Sequence, residues 1–319
     1  MSLYSKSDLE KIAKDSGFIR DNLEKVIRLN DILIYFNTNP ILAENLVLKG
    51  GTAINLTVFD MPRLSVDIDL DLNKECSRDD MHAIRESINN EILDYMFMQG
   101  YTLSPNAKNP HSLDSWAFYY QNAANNRDNI KIEINYSMRH HIYPVNITQT
   151  KIGFLPSTEI RVIYPIELFG SKIKALIERT AARDLYDVYN MISNSVFTEE
   201  DLNMLRKSIL FYLAIGGSNP PKLEYNFDTI DKLKFPQIRA HLIPVLRKSE
   251  QFDFEKAKKT VKEFLSALVV FTDKEKEFIE EFNNNNYVPE LLFEDEEIIK
   301  RIKSHPMAIW KTRKTSLKY

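Results

Sequence analysis

The sequence is poor in several residue types and patterns, and each scarcity excludes a class of function. A single cysteine, Cys76, forbids an internal disulfide and a thiolate zinc site. No thiolate-activating cluster is visible around it, so Cys76 reads as a small side chain near a strand end rather than a nucleophile. No apolar run approaches the roughly 20 residues that cross a bilayer, and the start, MSLYSKSDLEKIAK, has no apolar core of the signal-peptide kind. A cytoplasmic protein without membrane contact is expected. The six histidines, His82, His111, His140, His141, His241 and His305, lack zinc-site spacing, and His140-His141 is expected in loop packing, with a place along a substrate path beside Arg139 as the alternative. Internal repeats are absent. Positive charge is not in excess either: a net charge of -3 over 319 residues leaves room only for a local basic patch. One such patch closes the chain, where Arg301, Lys303, Lys311, Arg313, Lys314 and Lys318 follow the acidic run Glu294, Asp295, Glu296 and Glu297. A tail of this kind is expected to be a solvated or frayed end, with contact to a nucleic-acid backbone as the alternative.

What is present centres on residues 47–72, VLKGGTAINLTVFDMPRLSVDIDLDL. The pattern predicts a short apolar strand, a Gly-Gly-Thr turn opening a helix, and a second strand. On that strand Ser65, Asp67, Asp69 and Asp71 alternate with Val66, Ile68, Leu70 and Leu72, so one face is polar and the other aliphatic. Adjacent carboxylates on one face repel one another unless a cation sits among them. A divalent metal, Mg²⁺ carrying a nucleoside triphosphate, is the natural candidate. Asp71, one strand step further, is expected to be a solvated strand end, with a further metal ligand as the alternative.

Around this stretch the periodicity predicts helices at residues 7–14 (capped by Ser7) and 18–37, then a short one after Asn39-Pro40. Ser77 begins a long amphipathic helix that ends at Gly100, with Asp79 and Asp80 in its first turn. Strands follow at 116–120, 130–136 and 159–163. Within the second, Lys131, Glu133, Asn135 and Ser137 share one face, which again holds a carboxylate in a buried-looking strand. Beyond Pro165 the chain reads as helical, at 166–180, 183–192 and from Thr198 to Gly216-Gly217, with SNPPKLEYNF as the best candidate long loop. Trp116, Tyr119, Tyr120, Tyr186 and Tyr189 are expected mostly in the core. The fold expected is α+β (α/β): a mixed sheet flanked by helices over residues 1–164, followed by a mainly helical region, 165–319, that completes the active-site cleft.

A strand, Gly-Gly-Thr at a helix start, Asp-x-Asp and a later strand carboxylate together resemble the nucleotidyltransferase superfamily. More narrowly, LKGGTAINL, RLSVDIDL and ELFGSKIKALIERTAARDLYDVY are similar to the AbiEii/AbiGii toxins of abortive-infection and toxin–antitoxin systems, over about residues 42–191. The resemblance implies a toxin that moves a nucleotidyl group from a nucleoside triphosphate to an acceptor hydroxyl with Mg²⁺ or Mn²⁺. For some relatives the acceptor is the 3′ end of tRNA, and a cognate antitoxin is a further implied partner. The implied catalytic residues are Asp67, Asp69, Glu133, Lys172 and Asp184, with Asp187 as the alternative to Asp184. Gly50, Gly51, Thr52, Ser65 and Lys172 would bind nucleotide, and Asp67, Asp69 and Glu133 the metal.

The residues support these roles on their own chemistry. Gly50 and Gly51 let the backbone approach a phosphate, the aspartates can ligate Mg²⁺ on a triphosphate, and Glu133 can complete the metal site or take a proton from the attacking hydroxyl. Lys172 would meet phosphate as a point charge. Gly170, within Phe169-Gly170-Ser171, departs from the small helix formers of the family and weakens its helix by about 1 kcal/mol relative to Ala. Two other readings compete: a small-molecule, antibiotic-modifying nucleotidyltransferase, and a nucleotide-binding module that no longer turns over.

Overall fold

The computed structural model describes residues 4–314, without the side chain of Lys314. Lys318 of the basic tail lies outside the described residues. Contacts divide the chain into two units. Among the described residues, the first comprises 4–139, 145–163 and 244–250; the second comprises 140–144, 164–243 and 251–314.

The first unit begins with helices α1 (Lys6–Ser16), α2 (Arg20–Thr38) and α3 (Pro40–Asn45). Ser5, rather than Ser7, caps α1, because its hydroxyl accepts from the Asp8 amide while Asp8 reaches back to the Ser5 amide. Asn39 caps α3, whose first residue is Pro40. Strand β1 (Leu46–Lys49) leads into α4 (Gly50–Ala53), which continues as a π-turn over Ile54–Val58. Then come β2 (Asp67–Leu72) and the long helix α5 (Arg78–Met98), capped by Ser77 as its sequence predicts. The remaining strands are β3 (Thr102–Leu103), β4 (Leu113–Gln121), β5 (Arg127–Asn135), β6 (Asn146–Gln149) and β7 (Glu159–Val162). The short strands β3 and β6 carry too few residues for an alternation to show in the sequence.

These strands form one seven-stranded mixed sheet in the order β3-β4-β5-β2-β1-β7-β6. Strand β2 runs antiparallel to β1 and parallel to β5, so the Asp-x-Asp strand lies next to the one bearing Glu133. Ile68, Leu72, Ile132 and Ile134 are fully buried and Leu70 nearly so, each contributing about 1.5–3 kcal/mol of apolar burial. Helix α2 packs near β5 and β7, and α3 and α4 pack near β1. Trp116, Tyr120 and Tyr186 are buried as expected. Cys76 is half-buried, and desolvation pushes its thiol above the ordinary value, which suits an inert role.

The second unit is helical: α6 (Pro165–Arg179), α7 (Ala182–Ser193), α8 (Glu199–Gly216), α9 (Phe235–His241), α10 (Phe254–Leu268), α11 (Asp273–Asn283), α12 (Glu296–Ile302) and α13 (Pro306–Lys314). Thr198 and Asp201 form a capping box on α8. Gly170 has a packing reason that the sequence does not display: a Cβ there would lie 2.1 Å from the hydroxyl of buried Ser208 on α8. His140 and His141 are buried; His140 Nδ1 lies 3.0 Å from the Arg301 carbonyl and His141 Nδ1 3.5 Å from Glu167. The basic tail is not a frayed end over its described length. Asp295 caps α12, Glu296 and Glu297 fill its first turn, and α13 runs through Lys311 and Arg313. The acidic run therefore serves a helix N-terminus, where the dipole favours negative charge.

Candidate active site

The site in the first unit is built on the turn from β1 into α4. Gly50 has φ 71°, a left-handed conformation that glycine adopts without steric cost. It also has no room for a side chain: a Cβ would lie 2.6 Å from Oδ2 of Asp69. A Cβ on Gly51 would lie 2.7 Å from a guanidinium nitrogen of Arg63 and 3.2 Å from Oγ of Ser65. The two glycines are thus pressed between an anion and a cation. The Thr52 hydroxyl lies 3.0 Å from Ser65 Oγ and 2.5 Å from the Asp67 carbonyl, and Asn55 Nδ2 donates to the Gly51 carbonyl. Ser65 precedes the paired part of β2 rather than lying in it.

Sheet register decides which carboxylates meet. Lys49 stands opposite Asp69 on one side, Glu133 stands opposite Asp69 on the other, and Lys131 stands opposite Asp67. Directly opposed residues on neighbouring strands share a face, so Asp67, Asp69 and Glu133 rise from the same side of the sheet. All three are half-buried. Lys131 Nζ lies 2.9 Å from Glu133 Oε2. Asp71 is not a solvated strand end. It is buried, 2 % exposed, and forms an ion pair with Lys49 of the neighbouring strand β1.

Among the described residues, no three His, Cys, Asp or Glu side chains are gathered into a metal-holding group. The donor set nevertheless suits a hard divalent cation, since Asp67, Asp69 and Glu133 offer only carboxylate oxygens from adjacent register positions. Lys131 is 43 % exposed. A pair of that kind is worth about 0–1 kcal/mol, so exchanging its ammonium for a metal ion costs little.

Lys172, Asp184 and Asp187 come together in the second unit. Lys172 Nζ on α6 lies 3.0 Å from Asp184 and 3.1 Å from Asp187, both on α7. Arg179 closes the cluster, with Nε 2.7 Å from Asp184 Oδ2 and a second nitrogen 3.0 Å from Oδ1. This fork spans the break between the helices, where Thr180 takes the left-handed conformation at φ 49° and ends α6. Burial would raise the Asp184 carboxyl, but the Lys172 ammonium and the Arg179 guanidinium outweigh it and hold the group below its ordinary value. Arg183 points elsewhere, donating to the His241 carbonyl.

The structure adds cations to which the sequence assigned no role in the site: Lys49, Arg63 and Lys131 in the first unit and Arg179 in the second. Lys49 directly precedes Gly-Gly, and Arg63 opens the RLSVDIDL stretch. Both carried a positional signal, but their partners lie on other elements.

A family model described as nucleotidyl transferase AbiEii toxin, Type IV TA system, matches residues 32–284, more than half of the chain. Seven solved chains are similar in structure. One is MenT4, a nucleotidyltransferase toxin from Mycobacterium tuberculosis H37Rv, with a TM-score of 0.61 over 96 % of this chain and 99 % of that one. At 15 % identity, this likeness is one of fold. A search of curated proteins found no match.

Proposed function

The chain belongs to the AbiEii family of nucleotidyltransferase toxins of type IV toxin–antitoxin systems, and from that premise we propose how its residues carry the transfer. A nucleoside triphosphate binds at the Gly50-Gly51-Thr52 turn, and its nucleotidyl group passes to an acceptor hydroxyl. The observation that carries this reading is the juxtaposition of that turn with Asp69, whose carboxylate lies against Gly50. Phosphate and carboxylate are both anions and can sit this close only with a cation between them.

Asp67 and Asp69 would hold Mg²⁺ or Mn²⁺, with Glu133 as the third carboxylate. When bound, the metal neutralises charge on the triphosphate and its pyrophosphate leaving group. Glu133, where it is not needed as a ligand, takes the proton of the attacking hydroxyl. The glycines keep the backbone open to phosphate oxygens, while Thr52 and Ser65 hold the turn against β2. We assign Lys172 the lysine role of the family, a point charge for phosphate. Asp184 and Asp187 hold its ammonium in place. The acceptor is an RNA 3′ end, that of tRNA first among them, and a cognate antitoxin restrains the activity in the cell.

Incubating the chain with each labelled nucleoside triphosphate, Mg²⁺ or Mn²⁺ and total RNA tests this reading directly. Label is expected on RNA. If no RNA, protein or small molecule accepts label from any of the four nucleotides, the assignment fails; label on a small molecule alone replaces the RNA acceptor with a small one.

A further inference from the structure

We infer that Arg63 is a positioning residue of the nucleotide-binding turn: its guanidinium, packed against Gly51, fixes the peptides of residues 50–52 in the orientation that a triphosphate meets. The inference rests on the nucleotide reading of that turn and adds a residue to it.

Arg63 is 2 % exposed. A guanidinium keeps its charge under all ordinary conditions, and burying a charge is unfavourable unless partners compensate it. One partner is the carbonyl of Leu64, which accepts from Arg63 at 3.1 Å. A different nitrogen of the same planar group approaches Gly51 so closely that a Cβ there would sit 2.7 Å away. The position of this Cβ is also 3.2 Å from Ser65 Oγ, which lies 3.0 Å from the Thr52 hydroxyl. Arg63, Gly51, Thr52 and Ser65 therefore converge on one spot, beside the glycine that touches Asp69.

The guanidinium is delivered there by a main chain that is itself held in place. Arg63 bridges Leu246 in antiparallel fashion, and the Leu64 amide donates to the Val245 carbonyl at 2.8 Å. Residues 244–250 belong to the first unit although 164–243 and 251–314 do not. Within that unit this segment is fastened by Asn22 to the Pro244 carbonyl, by the Lys248 amide to the Gly17 carbonyl, and by Arg247 stacked over Phe18.

The test is calorimetric binding of ATP, GTP, CTP and UTP to the full chain and to Arg63→Lys. Lysine keeps the charge but cannot span the Leu64 carbonyl and Gly51 with one rigid fork. Binding at least ten-fold weaker than wild type is expected, together with faster hydrogen exchange confined to the amides of Gly51 and Thr52 in the absence of nucleotide. Wild-type binding with undiminished binding by Arg63→Lys overturns the inference alone. If the wild-type chain binds none of the four nucleotides, the nucleotide reading fails and takes the inference with it. Should Arg63→Lys exchange rapidly throughout, as an unfolded chain does, Gly51→Ala carries the test, because it leaves Arg63 in place and drives a methyl into the guanidinium. Weakened binding by Gly51→Ala together with faster hydrogen exchange at Thr52 in the absence of nucleotide then supports the inference, since a methyl that only blocked phosphate would leave that exchange unchanged; wild-type affinity or unchanged exchange overturns it.

Discussion

Asp67 and Asp69 on β2 stay half-buried at the edge of solvent, whereas Asp184 and Asp187 on α7 are each 1 % exposed and share Lys172, with Arg179 paired to Asp184. The second cluster holds two carboxylates and two cations, and is neutral by itself. In a low-dielectric interior that balance is close to obligatory, because an unpaired buried charge is strongly destabilising. The β2 pair is reached by water, so local neutrality is less strictly required there and a cation from outside has access to it. Asp71 is the internal control. Two residues beyond Asp69 on the same strand, it is buried and carries its own lysine, Lys49. Exposure thus changes along a single strand, and the more exposed carboxylates are those beside the glycine turn.

The sharpest way to break this contrast is to neutralise one member of each cluster. Asp69→Asn is expected to lower nucleotidyl transfer by about 10³-fold, equivalent to about 4 kcal/mol of transition-state stabilisation, with little change in the urea midpoint. An active Asp69→Asn enzyme would remove the metal assignment. Asp184→Asn is expected to show its main effect on the fold, costing about 1–3 kcal/mol in urea unfolding, because buried Lys172 loses one of its two carboxylates and the Arg179 fork loses its charged acceptor. A stability unchanged by that substitution would mean that the cluster does not hold α6 and α7 together.

Gly170→Ala probes the packing around the buried cluster, since Gly170 is on the helix that bears Lys172. Helix propensity alone predicts stabilisation by about 1 kcal/mol. The 2.1 Å approach of Ser208 instead predicts a loss of about 1–3 kcal/mol from overpacking. The sign of the change in thermal midpoint decides between them.

Acidity separates the clusters further. The Asp184 carboxyl is held below its ordinary value, with burial opposing and Lys172 and Arg179 prevailing. Its contribution is therefore complete above the unfolded carboxylate value, about pH 4, and is lost as pH falls through the lower folded value. Wild-type stability should decline below about pH 4 more steeply than that of Asp184→Asn. Equal slopes would show that Asp184 is not the group responsible. The smallest effect is expected from Lys131→Met, which breaks only the exposed pair with Glu133 and should shift stability by less than about 1 kcal/mol. A larger loss would show Glu133 to be structurally committed rather than open to a metal.

The sequence by itself determined the parts whose signals are local. The alternation in DIDLDL and IKIEIN set the buried faces of β2 and β5, Ser77 marked the start of α5, and Thr198 with Asp201 marked the start of α8. Glycines and carboxylates at short spacing pointed to the site because a turn and a strand face are properties of consecutive residues. Only the tertiary structure decided the pairings: Lys49 with Asp71, Lys172 with Asp184, Gly170 beneath Ser208 and Arg63 against Gly51. It also overturned the expectation of a solvated Asp71. The reason is physical, since a charge's partner is chosen by register and packing between elements distant in the chain, and one sequence carries no periodic signature of such contacts. Sequence periodicity told which residues face inward; the fold alone told which of the inward charges already had a partner.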